Sequence, residues 1–151
     1  MSTTSPSILE DARVGVRTKI SALWIAMLIL FAYGDIFGFF NPGQIEEVMS
    51  GEISGIEITQ GFLFTISVYI AIASVMIFLT LVLRPAVARW TNIVLAVVYI
   101  VSIVAAAIGE DAYYLFLSAV EIAMLLLIVW YAWTWPRRPL YSPHGLGYTR
   151  G

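Results

Sequence analysis

The chain has no cysteine, which excludes disulfides, thiolate metal sites and cysteine nucleophiles. Its one histidine, His144, lies in the C-terminal tail, leaving none for haem ligation or acid–base catalysis within a membrane. Charge is also scarce. Only 12% of the 151 residues are charged, eight basic and ten acidic, for a net charge of -2. With 60% hydrophobic residues and a mean hydropathy of +0.89, a soluble domain of this size could not cover its surface. The class is an integral membrane protein, all-α, with one domain of a few helices. No metal cluster, nucleotide-binding loop or nucleophile–base pair is present, and no cofactor or nucleic-acid partner is expected.

What is present is a set of long apolar runs. Ile20 to Phe40 is the first span, long enough for about 30 Å of helix. Ala32-Tyr33-Gly34 loosely fits a signal-peptide cleavage site, but the run is long for a signal h-region and its basic flank starts late. Asn41-Pro42-Gly43 ends this span with residues that cannot continue a helix or that favour turns. In Gln44 to Ser50, Ile45, Val48 and Met49 share one helical face, which predicts a short amphipathic helix on the membrane surface. Ser54-Gly55-Ile56-Glu57 has the pattern of a capping box, so the second helix is expected to start there and to span residues 58–83. Arg84-Pro85 ends it. The third span is expected over 91–108, barely long enough to cross and therefore close to the bilayer normal. Gly109-Glu110-Asp111 turns into the fourth, 112–135, which Trp133, Trp135 and Pro136 close at an aromatic belt. Residues 1–19 and 137–151 are expected as cytoplasmic tails. No internal repeat is apparent, which gives no support to an inverted-repeat transporter.

The charges sort by side. Arg13, Arg17, Lys19, Arg84, Arg89, Arg137, Arg138 and Arg150 all fall at one end of the spans. Glu46, Glu47, Glu52, Glu57, Glu110 and Asp111 fall at the other, with no basic residue. The positive-inside rule then puts both termini in the cytoplasm of a bacterium, in its inner membrane. Four spans with short connections make an up-down-up-down four-helix bundle.

Lipid is as apolar as leucine, so small and polar residues should mark the faces that meet other helices. Those stripes are Ala22, Ala26, Gly34 and Gly38 in the first span and Gln60, Ser67, Ala71 and Ser74 in the second. In the third they are Asn92, Ala96, Tyr99, Ser102 and Ala106, and in the fourth Tyr114, Ser118 and Glu121. Most of these positions are ordinary packing contacts. Asp35 and Glu121 ask for more. Glu121 sits near the middle of its span with no basic residue in any apolar run. A carboxylate at bilayer depth costs about 2.5–3.5 kcal/mol on insertion scales. A proton, a bound cation, a polar network or a partner subunit must offset that cost. Counted at 1.5 Å per residue, Asp35 lies about 8 Å and Glu121 about 14 Å below the outer ends of their helices, close enough to share a site. The expected ion- or ligand-binding set is Asp35, Glu121, Gln60, Tyr99, Tyr114 and Ser118. The outer acids have plainer roles: Glu57 in a cap, Glu110 and Asp111 at a helix N-terminus, Glu46 and Glu47 in solvent.

Several of these stretches resemble an uncharacterised bacterial family of short four-span membrane proteins. They are Tyr33-Gly34-Asp35, Asn41-Pro42-Gly43, Thr59-Gln60-Gly61, Arg89-Trp90-Thr91-Asn92, Glu121 and Trp130-Tyr131-Ala132-Trp133-Thr134-Trp135-Pro136. The resemblance covers Lys19 to Pro136, with Gly34 a departure where alanine is expected. It implies the four-span fold and, having no assigned activity, nothing of mechanism. The expectation is a pocket opening outward that binds or passes a small cation, proton or small solute. The alternative is an accessory or assembly subunit of a larger membrane complex, or a homo-oligomer, in which an acid meets a neighbouring chain. An enzyme ranks third.

Overall fold

A computed structural model describes residues 13–53 and 55–136; the outermost tail segments and Ser54 lie outside the described residues. Four long helices make up the bundle: α1 (Val16–Gly38), α3 (Gln60–Val82), α4 (Pro85–Ala106) and α5 (Ala112–Trp133). Each is long and apolar enough to cross a membrane. Between the first two spans lie α2 (Gln44–Ser50) and a two-stranded hairpin, β1 (Glu52–Ile53) with β2 (Ile56–Glu57).

The local sequence explains most of the boundaries. Gly43 and Gly51 flank α2 at φ +86° and +90°, a left-handed conformation that glycine adopts without steric cost. Ile45 and Met49 of α2 are exposed, at 52% and 82%, which agrees with a helix on the surface of the bundle. The expected capping box at residues 54–57 does not form. Glu57 instead pairs with Glu52 across the hairpin, and Ile56 pairs with Ile53. The helix is capped five residues after the expected Ser, by Thr59, whose Oγ1 accepts from the Phe62 N–H at 3.1 Å. A small strand pair therefore occupies what the sequence pattern assigns to a helix start.

The third long helix starts at Pro85 rather than Thr91, and its 22 residues remove the constraint that a short span would place on tilt. Proline suits this place because N1 needs no N–H donor and the ring pre-sets φ. Only Leu83 and Arg84 separate α3 from α4. Gly109, at φ +88°, turns the chain into α5.

Around the bundle the order is α3, α1, α5, α4. The α1 helix packs along both α3 and α5, and α4 packs along α5, while α3 and α4 meet only lightly. The core holds Ile20, Trp24 and Met27 of α1, Ala73 and Met76 of α3, Ala96, Tyr99 and Ile103 of α4, and Leu125, Ile128 and Ala132 of α5. The α3 helix buries least: 11% of its most apolar stretch, against 28% for each of the others.

The interior stripes agree with the sequence pattern for α5 and much of α4, where Ser118, Glu121, Asn92, Ala96 and Tyr99 are buried. They differ for the other two. Gln60, Ser67, Ala71 and Ser74 of α3 all face outward, and Ala22 of α1 is exposed. The Ser67 and Ser74 hydroxyls return to their own helix, donating to the Leu63 and Ile70 carbonyls at 2.8 and 2.9 Å. That i−4 bond lets a serine face an apolar phase, so serine spacing alone does not find the packed face.

Candidate functional site

Two polar centres lie inside the bundle, and they are built differently. The first is near the basic end. Trp24 donates its indole N–H to Asn92 Oδ1 at 2.7 Å, and the Thr80 hydroxyl lies 3.1 Å from the same oxygen. Asn92 Nδ2 donates to the Ala88 carbonyl at 2.7 Å. Trp24, Thr80, Asn92 and Ala88 are fully buried. Ser21 ties α1 to α3 through the Ile77 carbonyl at 3.0 Å. This network joins α1, α3 and α4, and its fully buried polar atoms are satisfied, so it reads as structural glue.

Above it, an aromatic layer fills the middle of the bundle. The Tyr69 and Tyr99 ring centroids are 4.4 Å apart, and Trp24 stands edge-on to Tyr99 at 5.5 Å. Tyr99 donates its hydroxyl to the Tyr69 carbonyl. The Tyr69 hydroxyl pairs with Ser102 Oγ at 2.7 Å, and Ser102 donates to the Tyr99 carbonyl at 2.9 Å. The layer locks α3 to α4 where their backbones make little other contact.

The second centre is Glu121. It lies nine residues into α5, about 14 Å from the helix start. Its residue is 6% exposed, and no group among the described residues hydrogen-bonds its carboxyl. Ser118, one turn away on the same face, is 4% exposed and also has no hydrogen-bond partner among the described residues. The charges that reach Glu121 are of its own sign: the Asp35 carboxylate of α1 is close enough to interact with it. The half-buried Tyr114 and Tyr69 are within electrostatic reach of it as well. Among the described residues, the basic side chains Arg13, Arg17, Lys19, Arg84 and Arg89 all sit at the far end. Glu121 is thus a buried acid on the same face of α5 as Tyr114 and Ser118, with no counter-ion among the described residues.

The six expected site residues separate accordingly. Glu121, Ser118, Tyr114 and Asp35 gather along the α1–α5 side of the outer half. Asp35 itself is exposed and lies in the last turn of α1, about 4–5 Å from the helix end, since α1 stops at Gly38. It does not share the buried interior that holds Glu121. Tyr99 is buried with its hydroxyl committed to the Tyr69 carbonyl, so it has no free donor for Glu121. Gln60 is exposed at the start of α3. The pattern of small residues did not mark Tyr69, Trp24 or Thr80. Trp24 carried a signal nevertheless, because an indole N–H at that depth in hydrocarbon needs an acceptor.

The small face of α1 explains how α1 and α5 come close beside this centre. A Cβ on Gly34 would lie 3.7 Å from Leu117 Cδ1, and one on Gly38 would lie 3.9 Å from the Tyr113 hydroxyl. At the outer rim, Asn41 donates to the Tyr113 hydroxyl at 3.1 Å and to Asp111 Oδ2 at 3.3 Å, pinning the end of α1 to the start of α5.

These features extend over nearly the whole length matched by one family model. The chain belongs to a family of unknown function, DUF6326, whose model matches residues 10–142. No curated protein matches the chain, and no solved structure matches it. The DUF6326 match takes in all four long helices and both polar centres.

Proposed function

We propose that this membrane protein uses Glu121 to take up a proton or bind a small cation or solute, reached from the acidic end of the bundle past Asp35. One observation carries the reading: an acidic residue at mid-span, 6% exposed as a whole, with no hydrogen bond and no basic partner among the described residues. Intramembrane acids of this kind are functional by default, because burying one without purpose costs stability. Asp35, Tyr114 and Ser118 supply oxygens along the same side. In this reading the basic end faces the cytoplasm of a bacterial inner membrane, and the acidic rim of Glu46, Glu47, Glu52 and Glu57 concentrates cations at the outer mouth.

Reconstituted wild type and Glu121→Gln, compared at several pH values for proton or cation flux and for cation binding, test it. The amide keeps the shape and removes the titrating group. Glu121→Gln is expected to fold normally and to lose pH-dependent uptake. Identical behaviour at every pH would end the claim.

A second reading has its own observation in its favour. The α3 face bearing Gln60, Ser67, Ala71 and Ser74 is open, and α3 is the least buried span. Small and hydroxyl residues on an exposed membrane face suit contact with another helix. An accessory subunit, or a second copy docking there, fits that face. Release of a co-purifying chain by Ala71→Leu, with uptake unaffected, would favour it over the first.

A further inference from the structure

We propose that the basic end of α4 and α5 holds a specific site for an anionic phospholipid, with its phosphate at Arg89 and an acyl chain along the neighbouring groove. Three observations meet there. The Arg89 guanidinium carbon lies 5.6 Å from the Trp90 ring centroid and 5.4 Å from that of Trp133, and the two indoles stand edge to face at 6.5 Å. The side chain is therefore held between two aromatic rings rather than free to sweep through solvent. Its Nε is buried and has no hydrogen-bond partner among the described residues, so the guanidinium is short of acceptors within the bundle and has its terminal N–H groups to offer a ligand. Beside it runs an open groove of about 350 Å³, lined by Trp90, Thr91, Val94 and Leu95. Trp90 belongs to both features, so the positive charge and the apolar groove share a wall.

The chemistry of the occupant follows from that pairing. Guanidinium presents a planar fork of donors that matches phosphate oxygens. The groove descends from Trp90 along α4 towards the bilayer centre and is lined mainly by apolar side chains, which suits a hydrocarbon chain. A soluble phosphate would use only the first part. A zwitterionic lipid would fill the groove but bring its own cation to the arginine. An anionic phospholipid uses both parts, and Trp90 and Trp133 lie at the depth where indoles meet headgroups. Arg84, close by in sequence, is exposed and makes no aromatic contact among the described residues, so it serves as a matched charge outside the site.

Native mass spectrometry of the purified full chain in detergent, titrated with phosphatidylglycerol, phosphatidylcholine or inorganic phosphate, tests the site. Wild type is expected to retain one phosphatidylglycerol at least about five-fold more tightly than phosphatidylcholine, the scale of one well-placed arginine near a membrane surface. Arg89→Gln should abolish that preference. Val94→Trp, which fills the groove and leaves the arginine, should lower retention of phosphatidylglycerol, with the helical circular-dichroism signal unchanged. Arg84→Gln should retain the lipid as wild type does. The proposal is overturned if Val94→Trp binds like wild type, or if Arg84→Gln loses as much as Arg89→Gln. Displacement of phosphatidylglycerol by millimolar inorganic phosphate would likewise overturn it, by reducing the site to a headgroup anion site.

Discussion

At the scale of single residues, the bundle contains two buried polar centres with opposite energetic character, and substitution should separate them. Asn92 accepts from Trp24 and Thr80 and donates to Ala88, so Asn92→Ala leaves the buried indole N–H without its acceptor and opens a small cavity. Interhelical hydrogen bonds in membranes average about 0.6 kcal/mol, with a maximum near 1.7, and an orphaned buried donor costs about 1–3 kcal/mol. A loss of about 1–3 kcal/mol is expected, visible as a lowered unfolding midpoint in detergent. Glu121→Leu should behave otherwise: it removes a carboxyl with no hydrogen bond to lose, so the midpoint should hold or rise while any uptake disappears. If Glu121→Leu proves as damaging as Asn92→Ala, a partner group for Glu121 has been overlooked and the unpaired-acid reading fails. Much of this contrast was legible beforehand. Glu121 stood out because carboxylates are rare in apolar runs, and Asn92 because it fell on the small-residue stripe of α4. The roles of Tyr69, Thr80 and Trp24 were not legible, since a tyrosine, threonine or tryptophan in a span can snorkel, bond its own helix or face a neighbour. Only the packing decides which.

At the scale of elements, α1 packs along α5 through Gly34 and Gly38, where there is room for a small side chain. The ideal Cβ at Gly34 would be 3.7 Å from Leu117 Cδ1, an ordinary van der Waals contact. Gly34→Ala should therefore be accepted and, through its lower unfolded-state entropy, stabilise by about 0.4–1 kcal/mol. That agrees with the alanine expected at this position from the family resemblance. Gly34→Leu with Gly38→Leu should push α1 off α5 and lower the unfolding midpoint of the monomer. Dissociation of a dimer with the fold intact would show instead that the glycines serve contacts between copies. Thr59→Ala is a milder test of the α3 start, with an expected loss of about 1 kcal/mol and local fraying seen as faster amide exchange over the first turn. Helix existence was legible throughout, because long apolar runs broken by Pro and Gly leave little choice. Boundaries were less so. The start of α3 was misread because Ser54 and Glu57 have capping-box spacing, yet Gly55 at φ +74° makes a hairpin turn between them. The start of α4 was misread because Arg89 and Trp90 look like an interface, whereas the helix begins at Pro85 and carries them one turn in.

At the scale of the whole molecule, the two ends differ in how charge is held, and that difference bears on orientation. At the basic end, Arg17 donates to the Leu81 carbonyl in the last turn of α3 and lies 5.8 Å from the Trp135 ring. Lys19 lies 5.3 Å from the Tyr131 ring, and Arg89 lies between Trp90 and Trp133. These cations lie against aromatic rings, an arrangement that suits a membrane interface. At the other end, the acids sit on the α2–hairpin segment and the turn into α5, with Glu47 accepting from the Gly55 N–H at 3.0 Å. Four antiparallel helices put both described ends of the chain, Arg13 and Pro136, on the basic side, whichever side that is. The proposed orientation, with the basic side in the cytoplasm, rests on the positive-inside rule. Labelling of single cysteines introduced at Thr3, Ser50 and Thr149, in whole cells with a membrane-impermeant maleimide, should modify Ser50→Cys and spare the other two until the cells are lysed. Reversed labelling would invert the orientation, and the acidic rim would then meet the cytoplasm and any flux would run the other way. Labelling of one terminus alone would break the four-span topology and the proposed role of Glu121 with it. Since every basic residue lies at one end, replacing Arg84 and Arg89 alone should not invert the chain, because Arg13, Arg17 and Lys19 still flank the first span, which usually dominates orientation. Inversion by that pair would place the topological signal in the α3–α4 turn.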